Sequence, residues 1–177
     1  MKKNFYRISV GLILMALGLS TAHATLELRP GGMVYDSVQN ITWLADANYA
    51  QTSGYDGDGF MTWDASITWA DQLVYGGFSD WRLFNAAPDD TTCDSSYDPG
   101  GGYPTQYYGY NCNSIGNELA HLFYIDLGVA AGDSILTSTA PEFNFFTNVQ
   151  SNGYWSGTEY APNSDFAWSF DTNLGDQ

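Results

Sequence analysis

Short runs of apolar residues, separated by clusters of Gly, Pro, Asn and Asp, dominate the first part of this chain. After an almost wholly apolar segment at residues 10–19, such runs recur at residues 26–28, 33–35 and 41–44. Short apolar runs bounded by turn-forming residues are typical of β-strands. The pattern therefore predicts one strand over residues 26–28, followed by a β-hairpin whose strands are residues 33–35 and 41–44.

Two later segments have the spacing of amphipathic helices. The first begins after Thr62, a residue type that caps helix N-termini, and runs to about residue 74, before a Gly-Gly pair. Its predicted buried face consists of Trp63, Ile67, Ala70, Leu73 and Val74. The second helix is predicted to begin after Ser114 and to be closed by Gly128. Its predicted buried face consists of Ile115, Leu119, Leu122 and Phe123.

The remaining segments complete the predicted layout. Residues 45–59 are expected to form a polar loop, residues 80–83 a strand, and residues 136–149 an irregular stretch with three phenylalanines. Two Trp-containing segments, residues 154–158 and 166–170, are predicted to form a terminal antiparallel pair. The sequence contains no repeat of fixed period and no interdomain linker. Two helices among short strands and long loops predict an α+β fold.

The first 24 residues have the three regions of an export signal. Basic residues precede the apolar segment, and small residues flank a predicted cleavage site after Ala24. The apolar segment is shorter than the roughly 20 residues that span a bilayer; a retained membrane anchor is the alternative. We therefore predict a signal peptide at residues 1–24 and a single domain at residues 25–177. The protein is expected at the cell surface or outside the cell, with the periplasm as the alternative location.

Removal of this leader would leave a strongly acidic domain. Three of the five basic residues lie in the leader, so Arg29 and Arg82 remain beside all twenty Asp and Glu residues, a formal charge of −18. Such a surface repels phosphate backbones and anionic lipids, which argues against nucleic acid and anionic membranes as partners. The charge either keeps an exported protein soluble or attracts divalent cations.

Cys93 and Cys112 are the two cysteines of the chain, and an even number in an exported protein favours a disulfide bond. The bond would close a loop of eighteen residues that is rich in Gly and Tyr. A long irregular loop in a compact domain is either functional or disordered, and a disulfide bond indicates that its shape matters. Two cysteines are too few for a structural zinc site, which argues against a metal bound through sulfur.

Several Trp-containing segments resemble the Lcl C-terminal domain family, a group of secreted bacterial domains. They are residues 79–83 (SDWRL), 154–159 (YWSGTE) and 166–170 (FAWSF), together with the predicted hairpin. The resemblance extends from about Gly31 to Asp176. It implies a fold like that of C-type lectins and a binding role rather than an enzymatic one. It also implies that the cysteine loop corresponds to one found in many family members.

The chain departs from the family pattern in three ways. No proline follows residues 80–83, the sequence stops at Gln177 before the family's usual last strand, and no PEP-CTERM sorting tail is present. A missing last strand would leave the strand at residues 166–170 with an unpaired edge that another chain can complete. The acidic surface also conflicts with the sulfated polysaccharides that are associated with the family.

Candidate ligand-binding residues lie in two loops. A saccharide-binding surface needs exposed aromatic rings beside amides and carboxylates, and tyrosine supplies rigid contact area at low entropic cost. In the disulfide loop the candidates are Tyr103, Tyr107, Tyr108 and Tyr110. In and beside the loop between the last two strands they are Trp155, Glu159, Asn163 and Asp165. The alternative is that the tyrosines only pack the Gly-rich loop onto the domain. The tryptophans predicted to lie in the core are Trp43, Trp63, Trp81 and Trp168.

Calcium is the candidate cofactor, at either of two turns that carry carboxylates. Asp56 and Asp58 alternate with glycines, although the residues that follow do not fit an EF-hand loop. Glu159, Asn163 and Asp165 form the second set, around a proline, and are similar to the Glu-Pro-Asn set of C-type lectins. Ordinary hydrogen-bonded turns are the alternative at both positions.

Catalytic motifs are scarce. His121 is the single histidine that remains after removal of the leader, and its predicted helix favours a structural role. The sequence has no Gly-x-Ser-x-Gly elbow, no His-Glu-x-x-His motif and no phosphate-binding loop. Arg82 is predicted to be a buried charge that binds one or two carboxylates in bidentate fashion.

These features predict an exported, non-catalytic binding module. Its expected ligand is a glycan, an extracellular matrix polymer or a protein of the cell envelope, which is consistent with a role in adhesion. One alternative is a structural protein of the matrix that associates with itself. The other is a glycan-active enzyme that uses a carboxylate pair at glycosidase spacing.

Overall fold

The described chain begins with a three-stranded antiparallel sheet of β1 (Leu26–Arg29), β2 (Met33–Asp36) and β3 (Ile41–Leu44), with β2 in the middle. The structure is a computed structural model that describes residues 26–177. The predicted signal peptide, residues 1–24, lies outside the described residues. The predicted first strand and the predicted hairpin are both confirmed.

The two faces of this sheet differ in chemistry, because side chains alternate along each strand. Val34 lies opposite Trp43, and both residues pack into the hydrophobic core. Arg29 and Tyr35 lie on the opposite face, where the Arg29 guanidinium carbon is 4.8 Å from the centroid of the Tyr35 ring. This outer face therefore carries a cation and an aromatic ring side by side.

The helix α2 (Trp63–Gln72) confirms the first helix prediction. The Thr62 side chain accepts a hydrogen bond from the backbone N–H three residues later (3.3 Å), as an N-cap does. The helix ends slightly earlier than predicted, because Leu73 already has an extended backbone, and the burial predicted for Val74 is wrong, since this residue is exposed. Residues 45–59, predicted as a loop, contain one helical turn, α1 (Tyr49–Thr52).

Residues 80–83 are irregular, so the strand predicted there is wrong. The chain beside them is fixed by contacts of other kinds. A backbone N–H of β6 (Gly153–Glu159) donates to Phe84 O (2.7 Å), and Trp81 Nε1 donates to Tyr75 O (3.3 Å). A strand needs backbone bonds along its whole length, whereas this segment is held mainly by side chains.

The predicted terminal pair is confirmed. β6 pairs antiparallel with β7 (Ala167–Asp171), and the register shifts between Trp155 and Glu159. Among the described residues, β6 is the one strand that pairs with β7, and a single bridge joins Asp171 at the end of β7 to Asp176. Phe170 of β7 is fully buried and joins the hydrophobic core.

Cys93 and Cys112 form the predicted disulfide bond. The prediction of an irregular loop between them is wrong, since β4 (Ser95–Tyr97) and β5 (Gln106–Tyr108) pair antiparallel within it. The disulfide bond brings the two ends of the loop together. Next to Cys93, the Asp94 backbone N–H donates to Tyr110 O (3.0 Å) on the other side of the loop.

The second predicted helix begins later than expected, at α3 (Glu118–His121), and continues as a π-helical turn at Leu122–Asp126. Ser114, the predicted cap, instead closes a turn in which its carbonyl accepts from Asn117 N–H (3.0 Å). The inward packing predicted for its leucine and phenylalanine side chains is confirmed, whereas the burial predicted for Ile115 is wrong, because this residue precedes the helix and is exposed. Gly128 follows the helix with φ of 61°, a conformation that glycine adopts without steric cost.

The core lies between the first sheet, α3 and β7, and the predicted core tryptophans lie at its boundary. The four tryptophans named above are all half-buried, and of these Trp43 packs directly against the core. Indole N–H groups need a partner when buried, and Trp63 Nε1 finds one in Ser156 O (2.8 Å). The stretch predicted to be irregular, residues 136–149, contains most of two short 3-10 turns at Ile135–Thr137 and Pro141–Phe145.

The described residues thus form an α+β fold of short antiparallel strands and few helices, as the sequence predicts. In this part of the chain, no helix has both the length and the apolar character needed to cross a membrane.

Candidate functional site

The disulfide-closed segment, residues 93–112, is named the tyrosine hairpin, and its base is attached to the domain at several points. The Tyr110 backbone N–H donates to Asp94 Oδ1 (3.0 Å). Gly109 and Gln177 exchange two backbone hydrogen bonds, of 3.1 and 3.0 Å. Gly109 has φ of 91°, and a Cβ atom at this position would collide with the Asp94 side chain. These bonds and the disulfide bond hold the base of the hairpin in one position.

A buried carboxylate beside the hairpin reinforces this attachment. Asp90 accepts hydrogen bonds from Thr92 Oγ1 (2.6 Å), Ser114 N–H (3.0 Å) and Asn117 Nδ2 (3.0 Å). Burial by itself would raise the pKa of Asp90, but the hydrogen bonds together lower it below its usual value. The charged carboxylate therefore joins both ends of the hairpin to the start of α3.

The tyrosines of the hairpin divide into exposed and packed residues. Tyr103 and Tyr108 are 44% and 40% exposed, and Tyr97 beside them is 38% exposed. The Tyr97 and Tyr108 rings are in edge contact, with centroids 6.0 Å apart. Tyr107 is half-buried and packs against the core, and Tyr110 is also half-buried. Of the four predicted ligand-binding tyrosines, two are thus presented to solvent.

The second predicted set of ligand-binding residues lies elsewhere on the surface. Glu159, Asn163 and Asp165 are exposed in and beside the loop that joins β6 to β7. Asn163 Oδ1 accepts from Asp165 N–H (3.1 Å), which is a hydrogen-bonded turn. Trp155 is exposed on β6, and its Nε1 donates to Met61 O (3.1 Å). Among the described residues, no hydrogen bond, ion pair or ring contact joins this set to the tyrosine hairpin.

The carboxylates of the first candidate calcium site bind backbone N–H groups of their own turn. Asp56 Oδ1 accepts from Asp58 N–H (3.0 Å) and Gly59 N–H (2.7 Å), and Asp58 Oδ1 accepts from Phe60 N–H (2.9 Å). The bonds from the backbone of Asp58 and Gly59 lower the pKa of Asp56. Within residues 26–177, no cluster of three or more His, Cys, Asp or Glu side chains is placed to hold a metal ion.

A cleft of about 750 Å³ lies between the first sheet and the irregular segment that follows residue 76. We name it the arginine cleft, because Arg29 and Arg82, the two Lys or Arg side chains among the described residues, both line it. Its aromatic lining residues are Tyr35, Trp43, Phe78, Trp81 and Phe84. Its other polar lining residues include Asn40, Thr42, Asp80 and Glu118.

Arg82 is the better anchored of the two cations. Its Nη1 and Nη2 atoms each donate to a different oxygen of Glu118, both at 2.7 Å, which confirms the predicted bidentate pairing. The Arg82 side chain is 49% exposed and that of Glu118 is 9% exposed. The prediction that Arg82 is the buried charge is therefore wrong, because the burial falls on its carboxylate partner. Glu118 also accepts from Asn85 N–H (2.7 Å), and the Glu118 pair raises the pKa of Arg82.

A second cavity, of about 290 Å³, lies beneath α2 and extends to the core. Ala70, Leu122 and Ile135 line its buried part, and Phe60 and Trp155 are exposed residues on its lining. The linings of both cavities are mainly apolar, and the polar share is smaller in this cavity than in the arginine cleft.

Two groups with potential for proton transfer lie inside the domain. His121 is buried, as a structural residue would be, with Nδ1 at 3.0 Å from Asn113 O and with Nε2 lacking a partner among the described residues. Asp126, at the end of the π-helical turn, has two oxygens that are inaccessible to solvent and find no hydrogen-bond donor in the described part of the chain. Burial, followed by the charges of Asp36 and Glu142, raises the pKa of Asp126 to about 7. None of these five residues lines either cavity.

The structure thus presents two candidate surfaces, namely exposed rings on an anchored hairpin and a cleft that combines polar groups with aromatic rings. Comparison of the chain with protein-family models, with curated proteins and with solved structures found no match. The resemblance to the Lcl C-terminal domain family stays a prediction.

The sequence analysis missed the arginine cleft as a site. One signal was present, because Arg29 and Arg82 are the two cations left in a segment with twenty acids. If both arginines lay close together, the surface around them would be less negative than the rest of the domain. Their joint position was not predictable, since 52 sequence positions separate Arg29 from Arg82 and no motif connects them.

Proposed function

We propose that this protein is an exported, non-catalytic module that binds glycan through the tyrosine hairpin. The observation that carries the proposal is the set of exposed rings of Tyr97, Tyr103 and Tyr108 on a hairpin whose base is held by a disulfide bond and by backbone hydrogen bonds. Large aromatic rings that stay exposed in a folded protein are typical of binding surfaces.

The rigidity of the hairpin favours binding over simple packing. Tyrosine has few rotatable bonds, and a fixed backbone reduces the entropy lost when the side chain contacts a ligand. The resemblance to the Lcl C-terminal domain family and the predicted signal peptide support an extracellular role. The acidic surface favours an uncharged glycan over a sulfated one, because like charges repel.

A glycan array with matched variants tests this proposal. We expect the purified protein to bind neutral glycans and the Tyr103→Ala/Tyr108→Ala double variant to lose about tenfold or more in affinity, since aromatic residues carry much of the energy of such contacts. Tyr55→Ala is the control, because Tyr55 is 51% exposed but lies outside the hairpin. Equal binding by the double variant and the control, with unchanged melting temperatures, would reject the hairpin as the glycan site.

One observation favours self-association as a second candidate function. Apart from one bridge between Asp171 and Asp176, β7 pairs only with β6 among the described residues, and a strand edge that is largely unpaired is a template for pairing with another chain. Sedimentation velocity over a hundredfold range of concentration separates the two candidates. Oligomers that form without glycan support self-association, whereas a monomer at every concentration argues against it.

A further inference from the structure

We infer that the arginine cleft is a second ligand site and that its ligand is a neutral saccharide unit. The site is separate from the tyrosine hairpin, because no residue of the hairpin lines the cleft. The inference therefore goes beyond the proposed function and does not depend on glycan binding by the hairpin. It rests on the charge balance of the cleft, on its fixed aromatic rings and on polar groups that have no partner among residues 26–177.

The charge balance of the cleft differs from that of the rest of the molecule. Arg82 is neutralised by Glu118 through two 2.7 Å hydrogen bonds, and Arg29 pairs with Glu27 at 2.9 Å. Asp80 is the remaining charged residue of the lining. The cleft is thus close to neutral in a domain with twenty acids and two Lys or Arg residues in its described part. A neutral ligand meets no repulsion here, whereas an anion would meet Asp80 and the negative field of the whole molecule.

The aromatic rings of the cleft are held in place before any ligand arrives. Trp81 Nε1 donates to Tyr75 O, and the Trp81 and Tyr75 rings meet edge to face with centroids 5.9 Å apart. Tyr75 in turn contacts Tyr49, with centroids 4.8 Å apart. On the opposite wall, the Tyr35 ring is fixed by the Arg29 guanidinium and by donation of its hydroxyl to Asn40 Oδ1 (2.9 Å). Such preorganised rings present contact area to the C–H face of a sugar at low entropic cost.

Polar groups on the cleft remain available for hydroxyl groups of a ligand. The Asp80 carboxylate is exposed and accepts no hydrogen bond from the described residues, so both of its oxygens can accept. The Asn40 side-chain oxygen accepts from the Tyr35 hydroxyl, and its two amide hydrogens have no acceptor among the described residues. The Arg82 Nε–H likewise has none there, since Arg82 bonds to Glu118 through Nη1 and Nη2. Each sugar hydroxyl can both donate and accept a hydrogen bond. A lining that offers a carboxylate acceptor beside amide and guanidinium donors can therefore bind neighbouring hydroxyl groups of one sugar ring.

The size of the cleft agrees with this ligand class. Its volume of about 750 Å³ lies within the roughly 300–1,000 Å³ of small-molecule sites in proteins. The apolar cavity beneath α2 is smaller and lacks the same density of polar groups. A saccharide is therefore better matched to the arginine cleft than to that cavity.

NMR titration of the tryptophan indole N–H signals tests the inference. The probes are the methyl glycosides of glucose, galactose, mannose and N-acetylglucosamine, with methyl galacturonoside as the charged counterpart of galactose. We expect at least one neutral glycoside to shift the Trp81 signal saturably while the Trp63 signal, from a residue outside the cleft, stays in place. We expect the galacturonoside to bind about tenfold more weakly than the matching neutral sugar, because of its charge.

Matched variants connect the binding to the cleft. Asp80→Ala is expected to weaken binding about tenfold or more without a change in melting temperature, because Asp80 has no internal partner. Asp71→Ala, which removes an exposed acid from α2, changes the net charge equally and should retain full affinity. Asn40→Gly provides a second test, since Asn40 has φ of 55° and glycine keeps that backbone conformation.

Three results would overturn the inference. They are the absence of a Trp81 shift with any neutral glycoside up to about 50 mM, equal binding of the galacturonoside, and an Asp80→Ala affinity equal to that of Asp71→Ala. The Tyr103→Ala/Tyr108→Ala variant distinguishes this site from the hairpin. A preserved Trp81 shift in that variant, together with lost array binding, would show that the two sites are independent.

Discussion

Asp126 is the residue whose surroundings most oppose its charge. Both of its oxygens are shielded from water and accept no hydrogen bond from residues 26–177, and burial raises the pKa of the group to about 7. Asp36 on β2 and Glu142 on the second 3-10 turn add negative charge nearby. The carboxyl group therefore binds a proton more tightly in the folded chain than in the unfolded chain.

This environment predicts that folding stability falls as the pH rises. The folded pKa of Asp126 is about 7 and the unfolded one is near 4, so the folded state binds more protons between these values. The contribution of Asp126 to the free energy of unfolding is fully present below about pH 4 and is lost as the pH rises to about 7. We expect Asp126→Asn to raise the free energy of unfolding at pH 7.5 by about 1–2 kcal/mol, because the half-buried site is partly screened by solvent.

Urea unfolding at a series of pH values measures this effect. The difference between wild type and Asp126→Asn should be large at pH 7.5 and small at pH 4. Asp71→Asn is the control, since this exposed acid on α2 should leave the profile unchanged. Burial and the charge of Asp171 also raise the pKa of Asp176. The stability of Asp126→Asn should therefore still fall somewhat as the pH rises. A difference that does not depend on pH would contradict the role given to Asp126.

Among the elements, the tyrosine hairpin depends most on a covalent bond. Its two strands are three residues each, and pairs of this length have little stability of their own in water. The disulfide bond closes the loop in the unfolded chain as well, which lowers the entropy of that state. The hairpin should thus lose both its shape and part of the stability of the domain when the bond is absent.

We expect the Cys93→Ser/Cys112→Ser double variant to lose about 3 kcal/mol in the free energy of unfolding. Hydrogen exchange at β4 and β5 should rise more than exchange at the first sheet, because the hairpin opens locally. A reductant should lower the free energy of unfolding of the wild type and leave that of the double variant unchanged, because the chain has no cysteines besides these two. Equal exchange at both sheets in the variant would show that other contacts are enough to hold the hairpin.

The predicted elements that formed as expected are those with local causes. The α2 helix has its cap in Thr62 and its apolar face within one segment. The β2–β3 hairpin likewise joins two neighbouring runs. Residues 80–83 have the composition of a strand but no partner strand beside them, so the pattern alone was misleading. Whether a segment becomes a strand depends on what lies next to it in space.

The whole molecule is shaped by its acidic surface. The described chain contains twenty Asp and Glu residues and two Lys or Arg residues. Such an excess of negative charge destabilises the compact state by repulsion. Salt screens charges that are separated by more than about 10 Å at 0.1 M. The folded protein should therefore become more stable as ionic strength rises.

We expect the melting temperature to rise by a few degrees between about 10 mM and 300 mM NaCl. Calcium and magnesium chloride should give equal melting temperatures at equal ionic strength, because backbone N–H groups already occupy the Asp56 oxygen that a cation would need. A rise specific to calcium would instead support a site at Asp56 and Asp58. Asp56→Asn would then remove the calcium effect while retaining the effect of NaCl.

The sequence alone predicted the features that depend on neighbouring residues or on the number of residues of one type. The cap of α2, the first hairpin, the pairing of two cysteines and the acidic surface all belong to this group. The arginine cleft required the fold, because Arg82 meets Glu118 across 36 positions of sequence and Arg29 reaches the same cleft from another strand. The division between exposed and packed tyrosines also required it. Long-range packing decides which side chains share a surface and which lose contact with water, and no local pattern contains that information.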